Sequence, residues 1–216
     1  MTLLTDEQGA RDWIAALPDV SRGTLARLDA FAALLADENG RQNLVAASTL
    51  GAAFWVRHIA DSAQLLPLAG RACGRWVDLG SGPGLPGLVI AILAPGMQIT
   101  LIEARRRRCD FLRAACATLQ IDNVVVVEGK VERAEGKFDV ISARAFAPLP
   151  ELLSIARHLA QKNSVWLLPK GRNAPSELSA LPPITRRMFH VEQSLTSAEA
   201  HILVGRGEPP ARPVAR

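Results

Sequence analysis

The chain has 216 residues, 49% of them hydrophobic, and a formal net charge of +4. That length allows one sizeable core with an appendage and excludes two ordinary domains, and no apolar run reaches the roughly 18 residues of a membrane span. The first residues, Met1 to Glu7, lack the basic start and long apolar stretch of a secretory leader, so the expectation is a soluble, cytoplasmic protein.

The first seventy residues read as helices. Thr5 with Gln8 makes a capping-box start for a helix through Leu17, which Pro18 ends. Ser21 caps the next, whose apolar positions Leu25, Leu28, Phe31, Ala32 and Leu35 recur at helical spacing until Asn39-Gly40 stops it. Ser48 begins a third stretch through Phe54 and Ile59, followed by a helical turn from Ser62 to Leu66.

After Gly70 the pattern changes. Arg75 to Leu79 is a strand, and a helix through Leu88, Ile90 and Ile92 follows, closed by Pro95 and Gly96. Gln98 to Glu103 is a second strand and Arg106 to Gln120 a helix with Phe111, Leu112 and Leu119 inward. Asn123 to Glu128, almost wholly valine, has the pattern of a strand buried on both faces. Phe138 to Ser142 is a fourth strand, Leu149 to Leu159 a helix, Ser164 to Leu168 a fifth strand and Ser176 to Leu181 a helix. Thr185 to Val191 and His201 to Val204 form an antiparallel strand pair. Strands alternating with helices specify an α/β, doubly wound Rossmann-like sheet. The expected organisation is a helical region over 1–70 packed on the core, the sheet domain over 71–207, and a proline-rich frayed tail over 208–216.

Val77-Asp78-Leu79-Gly80-Ser81-Gly82-Pro83-Gly84 lies between a strand and a helix, the context in which a glycine turn carries meaning. Glycine lets the backbone turn tightly and lets a ligand approach where a Cβ would clash. Gly82 to Gly87 formally matches the dinucleotide fingerprint, but Pro83 and Pro86 delete two amides that would face a pyrophosphate. S-adenosyl-L-methionine has no phosphate, and the acid at the strand tip, Asp78, suits its cationic parts. Gly80, Gly82 and Gly84 therefore read as a methyltransferase turn. Glu103, at the end of the second strand, can accept both ribose hydroxyls, as it could in a nicotinamide enzyme, or serve only as a carboxylate at a helix start.

The turn through Gly87 joins Asn43-Leu44, Arg57-His58-x-x-Asp61-Ser62, Phe111-Leu112-Arg113, Ser142-Ala143-Arg144-Ala145-Phe146-Ala147 and Lys170-Gly171. Together these segments resemble the bacterial ribosomal RNA small-subunit methyltransferase G family (RsmG, or GidB) from about Asn43 to Gly171, with weaker similarity at both ends. The resemblance implies a class I fold that uses S-adenosyl-L-methionine to methylate N7 of a guanine in 16S ribosomal RNA. Small-subunit ribosomal RNA or the 30S subunit would be its partner. It sets Gly80 and Leu85 against the cofactor, Glu103 on its ribose, Val131 and Glu132 beside its adenine, and Arg144 at the end of the fourth strand. The chain departs from the family at Asp37-Glu38, where Lys-Trp is common, at Val45, often threonine, and at Ala200, often arginine. A small-molecule or protein methyltransferase, and a non-catalytic RNA-binding assembly factor, are the alternatives.

Guanine N7 presents a free lone pair, so positioning and electrostatics can suffice without a general base. The sequence agrees, because the fourth strand ends in neither an Asn/Asp-Pro-Pro-aromatic turn nor a nucleophilic cysteine. Arg144 can reach the cofactor's carboxylate or a flipped guanine, or form a salt bridge at the sheet edge. Phe146 can stack on an extruded base or pack in the core, and Lys170 can meet RNA phosphate or lie along the surface. Arg57, His58 and Asp61 share a helix face and suggest a hydrogen-bonded cluster over the cofactor, whereas His158, His190 and His201 carry no pattern. Arg105 to Arg108 start a helix, where the dipole disfavours cations; Arg106 and Arg107 are candidates for RNA phosphate or a solvated face. Cys73, Cys109 and Cys116 include no CxxC pair, so no metal is expected, and the chain is expected to be a monomer.

Overall fold

The computed structural model describes residues 3–70 and 74–210, so Cys73 and the last six residues of the expected tail lie outside the described residues. The first helix, α1 (Glu7–Ala15), is capped by Asp6 and not by Thr5: the Asp6 carboxylate accepts the Gly9 N–H at 2.8 Å. Ser21 caps α2 (Arg22–Gln42) as expected, with Thr24 in the place usually held by Glu or Gln.

Asn39-Gly40 does not stop α2, which runs on to an αL cap at Asn43 with φ +52°. A glycine inside a helix costs about 1 kcal/mol. That is less than the burial of Leu28, Phe31 and Leu35 contributes, at roughly 1.5–3 kcal/mol each. Asn39 is itself buried, and its Oδ1 accepts the Val45 N–H at 2.7 Å, which fixes the chain as it leaves the helix. The third stretch is not a regular helix. It consists of 3₁₀ turns at Ala47–Thr49 and Gly51–Ala53 and a π-helical segment, Trp55–Ala60, running into α3 (Asp61–Ala63) and α4 (Leu65–Ala69).

The sheet strands are β1 (Arg75–Leu79), β2 (Gln98–Glu103), β3 (Val124–Glu128), β4 (Phe138–Ala143), β5 (Ala160–Lys170), β6 (Phe189–Gln193) and β7 (His201–Arg206). Between them lie α5 (Gly87–Leu93), α6 (Arg106–Leu119), α7 (Leu149–Ala156), α8 (Ala174–Ser179) and α9 (Pro183–Arg186). Their order is β3-β2-β1-β4-β5-β7-β6, parallel through β5, with β7 antiparallel to both of its neighbours. The last strand pair thus begins at Phe189, and Thr185 sits in α9. The valine strand β3 is not buried on both faces: it is an edge strand, and Val125 is 58% exposed. Its partner β2 and the helix α6 cover it, so Val124 and Val126 reach one core in part and Val127 the other.

One apolar core lies between α1, α2, α5, α6 and one sheet face, through Ile14, Phe31, Leu88, Leu112, Trp76 and Leu101. The other lies between α7, α8 and the opposite face, through Val77, Leu79, Ile141, Leu152 and Trp166. Alternate residues of β1 feed the two cores, as the pleat requires. The amino-terminal layer is also tied to the β6–β7 loop, where Gln64 Oε1 accepts the Leu195 N–H at 2.7 Å. No helix among the described residues is long and apolar enough to cross a membrane.

Candidate active site at the carboxyl ends of the parallel strands

The turn between β1 and α5 holds Gly80, Gly82 and Gly84 at φ +66°, +54° and +89°, a region that L side chains rarely adopt. A Cβ on Gly80 would run into the Phe146 ring, and one on Gly84 would lie 2.6 Å from Leu88. Gly80 and Gly82 border open space, but Gly84 packs inward and shapes the turn without lining it.

Asp78 departs from expectation. It is fully buried, accepting from Ser142 Oγ at 2.8 Å and from the Gly87 N–H at 3.2 Å. Burial pushes its carboxyl up to about 6, against the opposing pull of those hydrogen bonds. Gly87 allows the close approach, since a Cβ there would sit 3.0 Å from Asp78 Oδ2. The acid therefore braces the turn from beneath and does not face the cavity.

Glu103 takes the helix-start place that its position allows and borders open space as well. Its Oε2 accepts the Gly82 N–H at 2.9 Å and its Oε1 the Arg105 N–H at 2.8 Å, which ties the glycine turn to the start of α6. Each carboxylate oxygen retains a second lone pair, enough to take a pair of ribose hydroxyls. It borders a crevice of about 410 Å³ together with Gly80, Lys130, Val131, Glu132 and Phe146. A second crevice of about 330 Å³ meets the first at Gly80, Arg108 and Ala145 and is bounded by Gly82, Leu85, His58 and Arg144. The paired crevices fit a nucleoside at the acid end and an amino-acid group at the Leu85–Arg144 end, and the cradle over Gly80 is one that a Cβ would fill.

Arg144 follows β4 and precedes Ala145, whose φ is +50°. Its Nη2 donates to Arg57 O at 3.2 Å and to His58 Nδ1 at 3.1 Å. A guanidinium only donates, so His58 Nδ1 is the acceptor and its proton is on Nε2. That nitrogen donates to Thr49 Oγ1 at 2.7 Å, and the threonine hydroxyl donates to Ala46 O at 2.7 Å. Burial first, then the charges of Arg144 and Arg57, lower the His58 pKa to about 4. Asp61 completes the cluster: Oδ2 lies 3.6 Å from Arg144 Nη1, and Oδ1 accepts from Gln64 Nε2 at 3.0 Å and Thr196 Oγ1 at 2.8 Å. His58 and Asp61 thus form the expected hydrogen-bonded cluster, with the Arg57 side chain exposed beside it. Thr49 has no motif that could have marked it.

Lys170 is not a free cation. Its Nζ donates to Ala147 O at 2.9 Å and to Glu177 Oε2 at 2.8 Å, and the same oxygen accepts the Leu149 N–H at 2.8 Å. It holds the segment after Arg144 in place. Phe146 is half-buried over Gly80 and separates the 410 Å³ crevice from a third cavity of about 500 Å³, lined by Arg144, Pro148, Pro169, Lys170, Thr196 and His201. Arg106 and Arg107 are exposed and, with Arg105, Arg108 and Gly40 to Asn43 at the end of α2, surround a basic hollow of about 510 Å³. The Glu103 carboxylate on the Arg105 N–H supplies part of the negative charge that this helix start needs. Cys109 is buried and Cys116 half-buried, and burial raises the Cys116 thiol to about 11.

This strand order, with a glycine turn after β1 and an acid ending β2, defines the Rossmann-like class I methyltransferase fold. A S-adenosylmethionine-dependent methyltransferase from Aquifex aeolicus shares it with a TM-score of 0.52 and 12% identity, over 67% of this chain and 88% of that one. The model of the family rRNA small subunit methyltransferase G, GidB, matches residues 24–202. A ribosomal RNA small subunit methyltransferase G of Sphingopyxis alaskensis is 54% identical over 95% of this chain and 88% of its own length. Another, from Rhizorhabdus wittichii, is 49% identical over 92% and 91%. The chain belongs to the rRNA small subunit methyltransferase G family, and its cofactor is S-adenosyl-L-methionine.

Proposed function

We propose that the chain transfers a methyl group from S-adenosyl-L-methionine to N7 of a guanine in 16S ribosomal RNA, as a cytoplasmic monomer that needs no metal. The observation that carries this reading is the state of the two candidate bases at Arg144. Both ring nitrogens of His58 are engaged, and Asp61 is held by Gln64, Thr196 and Arg144. Guanine N7 loses no proton on attack and suits an Arg144 cluster whose two bases are both engaged, whereas an amino or hydroxyl acceptor has a proton to shed.

Gly80 and Leu85 would hold the amino-acid portion of the cofactor, Glu103 its ribose, and Val131 and Glu132 its adenine. Arg144 would meet its carboxylate or the acceptor base. When bound, the cofactor supplies a methyl group on a cationic sulfur. The chain's own part is to orient the two partners and keep water out, with residues 1–70 as a helical cover. Phe146 borders both spaces and offers a ring to an extruded base. Arg106 and Arg107 offer the RNA backbone a basic surface.

The test is a map of N7-methylguanine in rRNA from cells with the gene, without it, and complemented with Arg144→Ala. One guanine of the small subunit should lose its mark without the gene and stay unmarked with the variant. An unchanged map ends the substrate assignment.

A further inference from the structure

Among the described residues, two buried side-chain polar atoms have no hydrogen-bond partner: Arg144 Nη1 and His201 Nδ1. Folded proteins rarely leave such atoms unpaired, and a bound group is a direct way to satisfy them. Both residues line the same cavity of about 500 Å³. One wall of that cavity, Arg144 to Ala147, is shared with the donor crevices. Another stretch of its lining, Ser194 to Ile202, is not, and His201 lies there, at the start of β7 beside Lys170 of β5.

We infer that His201 is the residue that distinguishes the acceptor base, reading the edge of a guanine that points away from the methyl donor. The inference rests on the proposal that the acceptor is guanine N7. That atom must face the shared wall, so O6, its neighbour on the same edge, comes to the side where Arg144 Nη1 has hydrogens to donate. The N1–H and N2–H₂ donors then point away from the shared wall, and His201 is placed beside them. An imidazole with its proton on Nε2 presents Nδ1 to them as an acceptor. A donor for O6 opposite an acceptor for N1–H or N2–H₂ fits guanine and mismatches adenine, which carries an acceptor at N1 and a donor at position 6. Pro148 and Pro169 give the cavity apolar boundaries on which a flat ring can rest.

The experiment measures methylation by the full-length enzyme on small-subunit RNA carrying guanine, inosine or 2-aminopurine at the target position. Inosine lacks the 2-amino group, 2-aminopurine lacks N1–H and O6, and both keep N7. Wild type should lose roughly tenfold or more in kcat/KM on at least one analogue. His201→Ala should lose about tenfold on guanine and narrow the gap between guanine and that analogue by about tenfold. His201→Asn, which keeps an acceptor near Nδ1, should restore the discrimination, and all variants should bind S-adenosyl-L-methionine within about twofold of wild type. If His201→Ala fails to fold, His201→Phe keeps the bulk and takes its place. Equal analogue penalties in wild type and variant, or cofactor binding that falls in step with activity, overturn the inference. A wild-type enzyme that methylates no guanine in any of these RNAs defeats the functional proposal itself and this inference with it, a result recognisable because no variant then matters.

Discussion

Replacing Asp78 by Asn tests whether the acid of the glycine turn is a brace. The carboxyl moves from 3.8 to about 6 on burial, and at about 1.4 kcal/mol for each pH unit the fold bears about 3 kcal/mol to keep it charged at neutral pH. The sign follows from proton counting. Between about pH 4 and 6 the folded chain binds this proton more tightly than the unfolded chain, so its contribution to stability falls as pH rises through that window. An asparagine can keep the geometry. Its Oδ1 can accept the Gly87 N–H, and its Nδ2 can donate to Ser142 Oγ, which already accepts from Trp76 Nε1 at 2.9 Å and lies 3.5 Å from Val77 O, where its hydroxyl can turn. Asp78→Asn should therefore be more stable than wild type by up to about 3 kcal/mol above pH 6, and equal to it near pH 4. Urea unfolding of both proteins across that range reads the difference, in which every other titrating group cancels. A variant less stable at pH 7.5, or a difference independent of pH, would refute the reasoning. A stable variant that no longer binds S-adenosyl-L-methionine would return the acid to the cofactor.

Gly80→Ala places a Cβ against Phe146 at φ +66°, so it should cost about 1–2 kcal/mol and abolish cofactor binding in calorimetry. Lys170→Met removes the ties to Ala147 and Glu177 and should cost about 2 kcal/mol in urea unfolding. The salt dependence of RNA affinity should stay as in wild type, because this lysine is not available to phosphate. Reversing Arg106 and Arg107 to Glu should lower the slope of log affinity against log salt by about 2 and leave cofactor affinity alone. An unchanged slope would reduce these arginines to a solvated face. His58→Gln should flatten the pH profile of stability: in wild type the depressed imidazole makes stability fall as pH drops from 6.5 toward about 4, by up to about 3 kcal/mol.

Local chemistry was legible in the sequence and long-range pairing was not. β1 and β2 begin and end where their patterns indicate, because an apolar run bounded by turn residues needs no distant partner to be recognised. Glu103 could be placed at the end of β2 beside the turn for the same reason, and Val131 and Glu132, which the family resemblance sets beside the adenine, line the same crevice as Glu103. β3 defeated the reading. Four consecutive valines look alike in the middle of a sheet and at its edge, and the choice is made by the strand order. The end of α2 was lost to packing, which outweighs the preference of Asn39-Gly40 for a turn.

The active-site cluster shows the same division at the level of single atoms. Spacing in the sequence groups Arg57, His58 and Asp61, but Arg57 turns outward and the group that fixes the histidine's tautomer is Arg144, 86 residues further along the chain. Arg144 acts on both sides of the site. Its charge adds to burial in lowering the His58 pKa and opposes the burial-driven rise at Asp78, so it favours the neutral imidazole and the charged form of the acid beneath the glycine turn. The loop that begins with Arg144 is set by Lys170 and Glu177, a pair that in sequence looks like ordinary surface charge. A residue type and its motif can therefore nominate Arg144. Its electrostatic work exists only once β1, β4 and the π-helical segment have met, because Asp78 lies in β1 and His58 in that segment.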